Sequence, residues 1–395
     1  ESLFSKDIEK LEKELNDIVK SSSFLVIGGA GTIGSATIKE IFKRNPKILH
    51  VIDISENDLA ELVRDIRSSF GYIEGEFKTF VIDAGSDLFE KFLINNTGNS
   101  CYDFILNFSA LKHVRSEKDP FTLMRMIEVN ILNTNKALNL IKNIERKYKE
   151  KKIKKYFCVS TDKATNPVNL MGASKRIMEL FLLKHSESIS ISTARFANVI
   201  LSNGSLFYSF LNRINKKQPI VIPENINRYF ITIEESGKLC LLSCIFGENR
   251  EIFFPKIKNE FKLISLYDIS IKFLKNLGYE PYFCQTEDEA REKAKNYSND
   301  GKWPCFVSKN DTSGEKSFEE FYTEKDILNL DKFEDIGITY LNYQYNDKKL
   351  FYFLKEIEKL RRKSIYDKNE IIKLFNNVLP EFNHIEKNKS LDDKM

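Results

Sequence analysis

The stretch TDKATNPVNLMGASK, residues 161–175, holds two sets of side chains that could do proton chemistry. Near its end, Met171 stands four residues before Lys175 on a segment with a helical pattern. Many enzymes place a tyrosine at this spacing to take a proton during hydride transfer, and a thioether has no proton to exchange. At its start, Asp162 and Lys163 set a carboxylate beside an amine. The stretch therefore fits an inactive enzyme, a binding protein, or an enzyme that moves its protons by another route.

Alternating strands and helices would position these residues. After an amphipathic helix at 4–20 comes the apolar strand FLVIGG, and further strands are predicted to end at Ile54, Asp83, Ala110, Thr161 and Val199. Helical stretches separate the strands, and this alternation predicts an α/β fold, a Rossmann-type doubly wound parallel sheet. Ligands of such sheets bind outside the carboxyl ends of the strands, where Asp162 and Lys163 fall.

The pattern changes after about residue 200. The shorter strands PIVIP, RYFIT and EIFFP mix with helices, residues 280–325 are polar and loop-rich, and a charged helix follows. We read this part as a smaller α/β substrate lobe that closes over the sheet. The predicted division is an N-terminal helix at 1–22, a Rossmann domain at 23–200, the substrate lobe at 201–345 and a helical tail at 346–395.

Charge and composition exclude several classes of partner. The 61 basic and 57 acidic residues leave a net charge of +4 with no basic block, which argues against nucleic acid. No run reaches the roughly 18 apolar residues that span a bilayer, so we expect no membrane partner and a cytoplasmic protein. Six cysteines without a CxxC pair predict buried reduced thiols, and four scattered histidines predict no metal site.

The string VIGGAGTIG is typical of a dinucleotide site. Gly28, Gly31 and Gly34 recur every third residue between a strand and a helix, which lets the backbone and the helix N-terminus approach a pyrophosphate. Asp53 ends the next strand and would bond the adenosine ribose while repelling a 2′-phosphate, so NAD is favoured over NADP. Asp83 and Ala84 end the third strand as adenine contacts. The alternative is that both aspartates cap helices.

Further strings narrow the comparison to one family: FSALKHVRSEKDP, STDKATNPVNLMGASKR, RFANV, NGS, RYFIT and FFPK. With the glycine string they resemble the extended short-chain dehydrogenase/reductases, and among them the nucleotide-sugar 4,6-dehydratases of the CapD-like polysaccharide-biosynthesis branch. The nearest subgroup is the UDP-N-acetylglucosamine (UDP-GlcNAc) 4,6-dehydratases that retain configuration at C5. The resemblance runs from about residue 22 to the end of the chain.

The resemblance implies a reaction in which NAD is borrowed and returned. The sugar gives a hydride from C4 to NAD+, which makes a 4-ketone and acidifies the C5 hydrogen. A base removes that proton while an acid protonates the departing C6 hydroxyl, and the hydride returns to C6. The product would be UDP-2-acetamido-2,6-dideoxy-α-D-xylo-hexos-4-ulose.

The resemblance also assigns roles to the opening stretch. Asp162 would be the acid at C6, Lys163 the base at C5, and Lys175 the anchor of the nicotinamide ribose. Methionine also occurs at position 171 in the subgroup, where it can pack against nicotinamide or sugar. The acceptor of the C4 hydroxyl proton stays open between Asp162 and a relay of Thr161 and water toward Lys175.

Other contacts are carried over by position. The additional cofactor contacts would be Thr32, Ile33, Ser109, Ala110, Ala197 and Val199. The substrate contacts would be Lys112, His113, Thr161, Asn198, Gly204, Arg228 and Lys256, with a surface role as the alternative for His113. Asn130 and Thr134 could have a structural role rather than a binding role, by linking a helix to the sheet. The family resemblance further implies a homodimer, or a higher homo-oligomer, through the helices that hold Met171–Lys175 and Asn130.

Four alternatives remain open at this point. The same reaction could act on GDP-N-acetylglucosamine (GDP-GlcNAc), because base selection lies in the smaller lobe. A C5-inverting dehydratase differs only in the face that is reprotonated. A 4-epimerase would have no need of Asp162 and Lys163. A catalytically silent nucleotide-sugar sensor rests on Met171 alone.

Overall fold

The computed structural model describes residues 2–99, 102–148, 152–258, 263–295, 301–309, 318 and 320–384. Its strands are β1 (Ser23–Ile27), β2 (Ile48–Asp53), β3 (Glu76–Val81), β4 (Phe104–Asn107), β5 (Lys155–Val159), β6 (Ile191–Ala194), β7 (Asn198–Val199), β8 (Ile220–Pro223), β9 (Asn227–Arg228), β10 (Phe230–Ile231), β11 (Glu251–Pro255), β12 (Ile264–Ser265), β13 (Glu280–Cys284), β14 (Lys302–Ser308) and β15 (Ile336–Tyr340). Its α-helices are α1 (Ser5–Lys20), α2 (Thr32–Phe42), α3 (Glu56–Phe70), α4 (Asp87–Asn99), α5 (Pro120–Ile127), α6 (Asn133–Lys147), α7 (Leu170–His185), α8 (Leu206–Asn215), α9 (Ile233–Phe246), α10 (Leu266–Asn276), α11 (Glu287–Lys295), α12 (Asp347–Arg362) and α13 (Lys368–Val378).

The chain forms two compact units that are discontinuous in sequence. The first takes the described residues of Glu1–Phe196, Ile233–Lys256 and Glu320–Asn383. The second takes those of Ala197–Thr232, Ile257–Glu319 and His384–Met395. The four linear domains predicted above stay a prediction.

The first unit is built on one eight-stranded sheet. Hydrogen bonds join its strands in the order β15-β11-β6-β5-β4-β1-β2-β3. Every neighbouring pair is parallel except β11 and β15, which are antiparallel. Strands β1 and β5 are buried along their whole length, as strands covered on both faces are. The sheet confirms the predicted Rossmann-type fold and adds an antiparallel edge.

Two predictions about the strands are wrong. EIFFP was assigned to the smaller lobe, but as β11 it lies in the large sheet between β6 and β15. All five of its residues are buried, so it needs a covered position. SISTARFANV was predicted as one strand, but the pairing of β6 ends at Ala194 and β7 pairs with β10 in the second unit.

The first and last helices both pack onto the first unit. Helix α1 confirms the predicted amphipathic helix, and its Asp7 carboxylate accepts the backbone N–H groups of Glu334 at 2.5 Å and Asp335 at 2.8 Å. Helices α12 and α13 confirm the predicted tail helices. They share a hydrophobic core with α5 and α7, to which they contribute Phe353, Ile357 and Phe375.

The second unit has its own core. Strands β8, β14 and β13 form a three-stranded parallel sheet, and Trp303 packs with Phe207, Phe210 and Cys305. The Trp303 indole N–H donates to the Gln218 carbonyl at 3.1 Å. The prediction of a loop-rich segment at 280–325 is wrong where β13, α11 and β14 form. The apolar run that begins at Trp303 makes β14 the central strand of this small sheet.

The tail core yields a stability prediction. Phe375 is fully buried against Phe353, with ring centroids 5.6 Å apart, whereas Phe351 on the same tail is 68% exposed. We expect Phe375→Ala to lower the free energy of unfolding by about 3–5 kcal/mol, and Phe351→Ala by no more than about 0.5 kcal/mol. Urea unfolding followed by circular dichroism measures both. Equal losses would contradict the assignment of α13 to the core.

Candidate active site

The turn between β1 and α2 depends on glycine for its own geometry. Gly28 has a φ of +70°, and its N–H donates to the Ile52 carbonyl at 2.8 Å. A Cβ on Gly28 would lie 2.6 Å from the Ser109 nitrogen, and one on Gly34 would lie 2.6 Å from the Gly28 carbonyl oxygen. Backbone atoms cannot move away at low energetic cost, so a side chain at either position would disrupt the packing of the turn.

Gly31 differs, because the protein itself leaves room for a side chain there. A Cβ on Gly31 would meet only the Gly28 carbonyl oxygen, at 3.6 Å. Gly31 is also the N-cap of α2 and provides no side-chain cap. Thr32 and Ile33 follow in the first turn, which is partly exposed. An open cradle at a helix N-terminus is what a pyrophosphate needs, so these residues fit a dinucleotide.

Asp53 lies beside this turn. Its carboxylate accepts the Ala30 N–H at 3.0 Å and the Ser55 N–H at 3.1 Å. The N-cap of α3 is Ser55, so the alternative role of Asp53 as that cap is wrong. Asp53 thereby joins the glycine turn to the end of β2, and its carboxylate is partly exposed.

Asp83 pairs with Arg125, a residue that the sequence analysis did not identify. Its carboxylate accepts the Gly85 N–H at 2.8 Å and an N–H of Arg125 at 3.3 Å. Arg125 also pairs with Glu128 at 2.7 Å, and Glu128 pairs with Arg361 of α12 at 2.8 Å. Ala84 follows Asp83 in a partly exposed turn.

The loop after β4 is fixed at its start and exposed further on. The Asn107 side-chain oxygen accepts the backbone N–H of Ser109 at 3.0 Å and its hydroxyl at 2.7 Å. Ala110 is partly exposed, and Lys112 and His113 are exposed. The loop therefore presents both predicted substrate residues to solvent.

Asn130 and Thr134 tie helix to sheet and loop, as the alternative held. Asn130 lies in a π-helical turn, Glu128–Leu132, and bonds both backbone groups of Leu111 at 2.9 and 3.0 Å. It also donates to the Ser174 hydroxyl at 2.9 Å. Thr134 accepts from Asn107 at 3.3 Å. Single π-helical turns are frequent at functional sites, where they re-aim a side chain.

The turn after β5 brings an acid and an amine into contact. Three donors converge on Asp162 Oδ1: the Thr161 hydroxyl at 2.8 Å, the Lys163 N–H at 2.9 Å and the Lys163 ammonium at 3.1 Å. Asp162 is only 4% exposed and the Lys163 side chain 19%. Both side chains are therefore largely withdrawn from solvent.

Lys175 is buried one helical turn beyond Met171. The residue is 3% exposed, and its ammonium donates to the Val159 carbonyl at the end of β5, at 3.1 Å. Its other contact among the described residues is the Met178 sulfur at 3.6 Å. Burial lowers the pKa of Lys175. Because an ammonium has three N–H groups and one carbonyl takes one of them, donor capacity remains for a hydroxylated ligand.

Met171 belongs to the hydrophobic core. It is 2% exposed and lies in the cluster that α5 and α7 share with α12 and α13. Its helix is capped by Asn169, which accepts the Gly172 N–H at 2.7 Å, and by Glu117, which accepts the Leu170 N–H at 2.7 Å. Met171 therefore has a packing role, and proton exchange falls to other groups.

A buried ion pair lies directly behind the catalytic turn, and sequence analysis missed it. Glu179 and Arg195 are both 0% exposed. Arg195 donates to the two Glu179 oxygens at 2.9 and 2.6 Å, and the Ser160 hydroxyl donates to Glu179 at 2.7 Å. The available signal was an arginine and a glutamate inside apolar segments, where charge needs a partner.

The predicted residues of the second unit lie around β7 and β9. The Asn198 N–H donates to the Tyr229 carbonyl at 3.1 Å, while its side-chain nitrogen is buried and has no hydrogen-bond partner among the described residues. Ala197 and Val199 flank it and are buried. Gly204 has a φ of +76° ahead of α8, and Arg228 is 8% exposed. The buried amide nitrogen of Asn198 is a donor that a phosphate could satisfy.

Lys256 follows β11 in the first unit rather than the second. Its ammonium donates to the Phe333 carbonyl, and its N–H donates to Asp335. Its predicted role toward substrate stays a prediction.

Five of the six cysteines lie in the part of the chain that the structure describes. Cys158, Cys240, Cys244, Cys284 and Cys305 are free and buried, and Cys101 lies outside the described residues. Within the described ranges no group of three His, Cys, Asp or Glu could hold a metal ion. The same part of the chain holds no helix with the length and apolar character to cross a membrane.

Comparison with known proteins identifies the family. The profile described as "Polysaccharide biosynthesis protein" matches residues 24–340. The chain belongs to this family. The relatives that match this chain differ from one another in length. The chain is 29% identical over 336 residues to the uncharacterized membrane protein MJ1061 of Methanocaldococcus jannaschii, covering 83% of this chain and 88% of that one.

Other relatives in the polysaccharide-biosynthesis family are much longer than this chain. CapD of Staphylococcus aureus, a capsular polysaccharide biosynthesis protein, is 30% identical over 67% of this chain but only 43% of its own length. EpsC of Bacillus subtilis, a probable polysaccharide biosynthesis protein, is 26% identical over 64% of this chain and 41% of itself. The chain thus spans less than half the length of these two relatives.

Solved structures confirm the fold. Pen from Bacillus thuringiensis has a TM-score of 0.63 and 23% identity, covering 83% of this chain and 90% of that one. UDP-glucuronic acid 4-epimerase from Bacillus cereus, solved with UDP-glucuronic acid and NAD, has a TM-score of 0.53 and 18% identity, covering 75% of this chain and 89% of that one.

The glycine turn gives a paired prediction. Gly31→Ala adds a methyl group where the protein has room but a pyrophosphate would lie, so NAD binding should weaken about tenfold or more with no change in the melting temperature of nucleotide-free protein. Gly34→Ala should lower that melting temperature. Titration calorimetry and thermal melts measure the two effects. Wild-type NAD affinity in Gly31→Ala would refute the cradle.

Lys175 gives a pH prediction. Because burial lowers its pKa, the unfolded chain holds more protons than the folded chain between the two pKa values, and stability rises with pH across that window. Lys175→Met removes the buried charge. The nucleotide-free variant should therefore have a higher melting temperature than nucleotide-free wild type near pH 7, and this difference should shrink toward about pH 10. A variant that melts below wild type at both pH values would contradict this reading.

Proposed function

We propose that the chain is an NAD-dependent nucleotide-sugar 4,6-dehydratase that acts on UDP-GlcNAc and retains configuration at C5. Membership of the polysaccharide-biosynthesis family and the NAD- and UDP-sugar-bound structural neighbours support a nucleotide-sugar enzyme with NAD. The observation that carries the finer proposal is the 3.1 Å hydrogen bond between Lys163 Nζ and Asp162 Oδ1.

This hydrogen bond would allow Asp162 and Lys163 to reach the protonation states that the elimination needs. Elimination of water from C5 and C6 needs a neutral acid for the leaving hydroxyl and a neutral amine for the C5 proton. Transfer of one proton from Lys163 to Asp162 along the bond produces both, without exchange with solvent. Asp162 then protonates the C6 hydroxyl, and Lys163 takes the C5 proton and later returns one to C5.

The remaining residues of the first unit would bind the cofactor. NAD, when bound, accepts a hydride from C4 and donates it to C6. Gly31 and the N-terminus of α2 would hold its pyrophosphate, Asp53 its adenosine ribose, and Lys175 its nicotinamide ribose. Burial of Lys175 favours its neutral form, which fits it to end a relay from Thr161 and water for the C4 hydroxyl proton. That proton is taken up again when Asp162 is reprotonated.

The second unit would bind the substrate diphosphate. Asn198 offers a buried donor that has no partner in the described part of the chain, Gly204 a left-handed backbone turn, and Arg228 a planar guanidinium. Discrimination between UDP and GDP is assigned to this unit. The homo-oligomer and the cytoplasmic location rest on the family resemblance and the composition.

A 4-epimerase is the second candidate, because of one comparison. UDP-glucose 4-epimerase of Rickettsia bellii is 27% identical over 59% of this chain and 66% of its own length. A 4-epimerase does not remove a C5 proton, so Asp162 and Lys163 would not be needed as acid and base. Its product would have the mass of the substrate, whereas a dehydratase product is lighter by one water.

The test is incubation with UDP-GlcNAc, and separately GDP-GlcNAc, in deuterated water. The proposal predicts a 6-deoxy-4-keto product from the uridine substrate, with solvent deuterium at C5 and ring couplings of the retained configuration by NMR. Inverted couplings would support a C5-inverting enzyme, and an isomer of unchanged mass an epimerase. If neither UDP-GlcNAc nor GDP-GlcNAc is changed, the remaining interpretation would be the catalytically silent sensor.

Substitution of the base tests its role. Lys163→Ala should lower kcat by about 10²–10⁴-fold, the usual contribution of a general base. Lys348→Ala removes an exposed lysine of α12 and serves as the control, with kcat expected at the wild-type level. If Lys163→Ala turns over as fast as the control, another group is the C5 base.

A further inference from the structure

The buried charges behind the catalytic turn have no role in the reaction steps above. Glu179 lies on α7, one turn beyond Lys175, and Arg195 immediately follows β6. Burial alone would raise the pKa of Glu179 and lower that of Arg195. Their pairing outweighs burial, so the pKa of Glu179 lies below its ordinary value and that of Arg195 above it. Both groups are charged, and each depends on the other.

Ser160 connects this pair to the catalytic turn. Its hydroxyl donates to Glu179 at 2.7 Å, and its N–H donates to the Ala194 carbonyl at 2.9 Å. Thr161, the next residue, starts the turn that holds Asp162 and Lys163. Ser160 is thus the last residue held by both backbone and side chain before the chain leaves the sheet. Any shift of its side chain is passed directly to the turn.

Distant segments hold the other side of the pair. The Arg195 guanidinium donates to the Phe321 carbonyl at 2.9 Å and to the Tyr343 hydroxyl. Arg176 lies over the Tyr343 ring, 3.6 Å from its centroid, and contacts Glu179 at 3.4 Å. The Glu179 carboxylate therefore accepts hydrogen bonds from Arg176 and Arg195 as well as from Ser160.

We infer that Ser160, Glu179 and Arg195 form a positioning cluster that holds the Thr161–Lys163 turn in place for the elimination steps. The inference rests on the proposed function for the identity of those steps. The cluster reaches Asp162 and Lys163 through the hydrogen bond of Ser160, the residue before the turn. The three members of the cluster are positioning residues, because they act through the turn.

Ser160→Ala is the test variant, since substitution of Glu179 or Arg195 would leave an uncompensated buried charge and could unfold the protein. Ser243→Ala is the matched control. Ser243 is buried like Ser160, but its hydroxyl donates to the Thr193 carbonyl at 3.0 Å rather than to Glu179. Ser160→Thr keeps the hydroxyl and should restore the wild-type behaviour.

Two measurements on the holoenzyme decide the matter. Hydrogen–deuterium exchange without substrate should be about tenfold faster or more in the peptide containing Lys163, Ala164 and Thr165 of Ser160→Ala, and unchanged there in Ser243→Ala. With UDP-GlcNAc, kcat of Ser160→Ala should fall about tenfold or more with KM within about twofold.

The outcomes separate the two proposals. Unchanged exchange in Ser160→Ala, or equal kinetic losses in Ser160→Ala and Ser243→Ala, would overturn the positioning cluster. Lack of turnover by the wild type in the same assay would instead overturn the proposed function, and the exchange result would still decide whether the cluster holds the turn. Retention of wild-type NAD content in Ser160→Ala is expected, and its loss would place the cluster in cofactor binding.

Discussion

The ion pair between Glu179 and Arg195, which has lost all contact with water, is the interaction on which the catalytic end of the sheet depends. A buried charge is tolerated only when its partner is in place, so the pair forms when α7 and the end of β6 are both positioned. Ser160 and the Phe321 carbonyl complete the arrangement. The Thr161–Lys163 turn is thus supported by segments from both halves of the chain.

The same end of the sheet explains how a methionine can stand where proton chemistry is expected. Met171 is enclosed by the core that α7 shares with the tail helices, so its apolar side chain meets a structural demand. The proposed proton chemistry lies in the turn after β5, where Asp162 and Lys163 are in direct contact. Lys175 stays beside the strand end, bonded to the Val159 carbonyl. In the proposed function, Lys175 binds the cofactor and the Asp162–Lys163 pair carries out the elimination.

Local patterns allowed much of this to be predicted. The glycine turn, Asp53 and the first six strands follow from spacing and apolar runs that act over a few residues. The position of β11 could not be predicted, because the intervening residues of the second unit separate it in sequence from its neighbour β6. Glu179 and Arg195 were missed because a charged residue in sequence is typical of a surface, and only the fold shows that both are buried together.

The central claim is that one hydride leaves C4 and returns to C6 within a single site. UDP-GlcNAc that carries deuterium at C4 tests it most directly, with the product read by mass spectrometry and NMR. The account predicts a 4-keto-6-deoxy product with that deuterium on C6. A product that keeps the deuterium on C4, as an epimer would, or a keto product without it, would contradict the account.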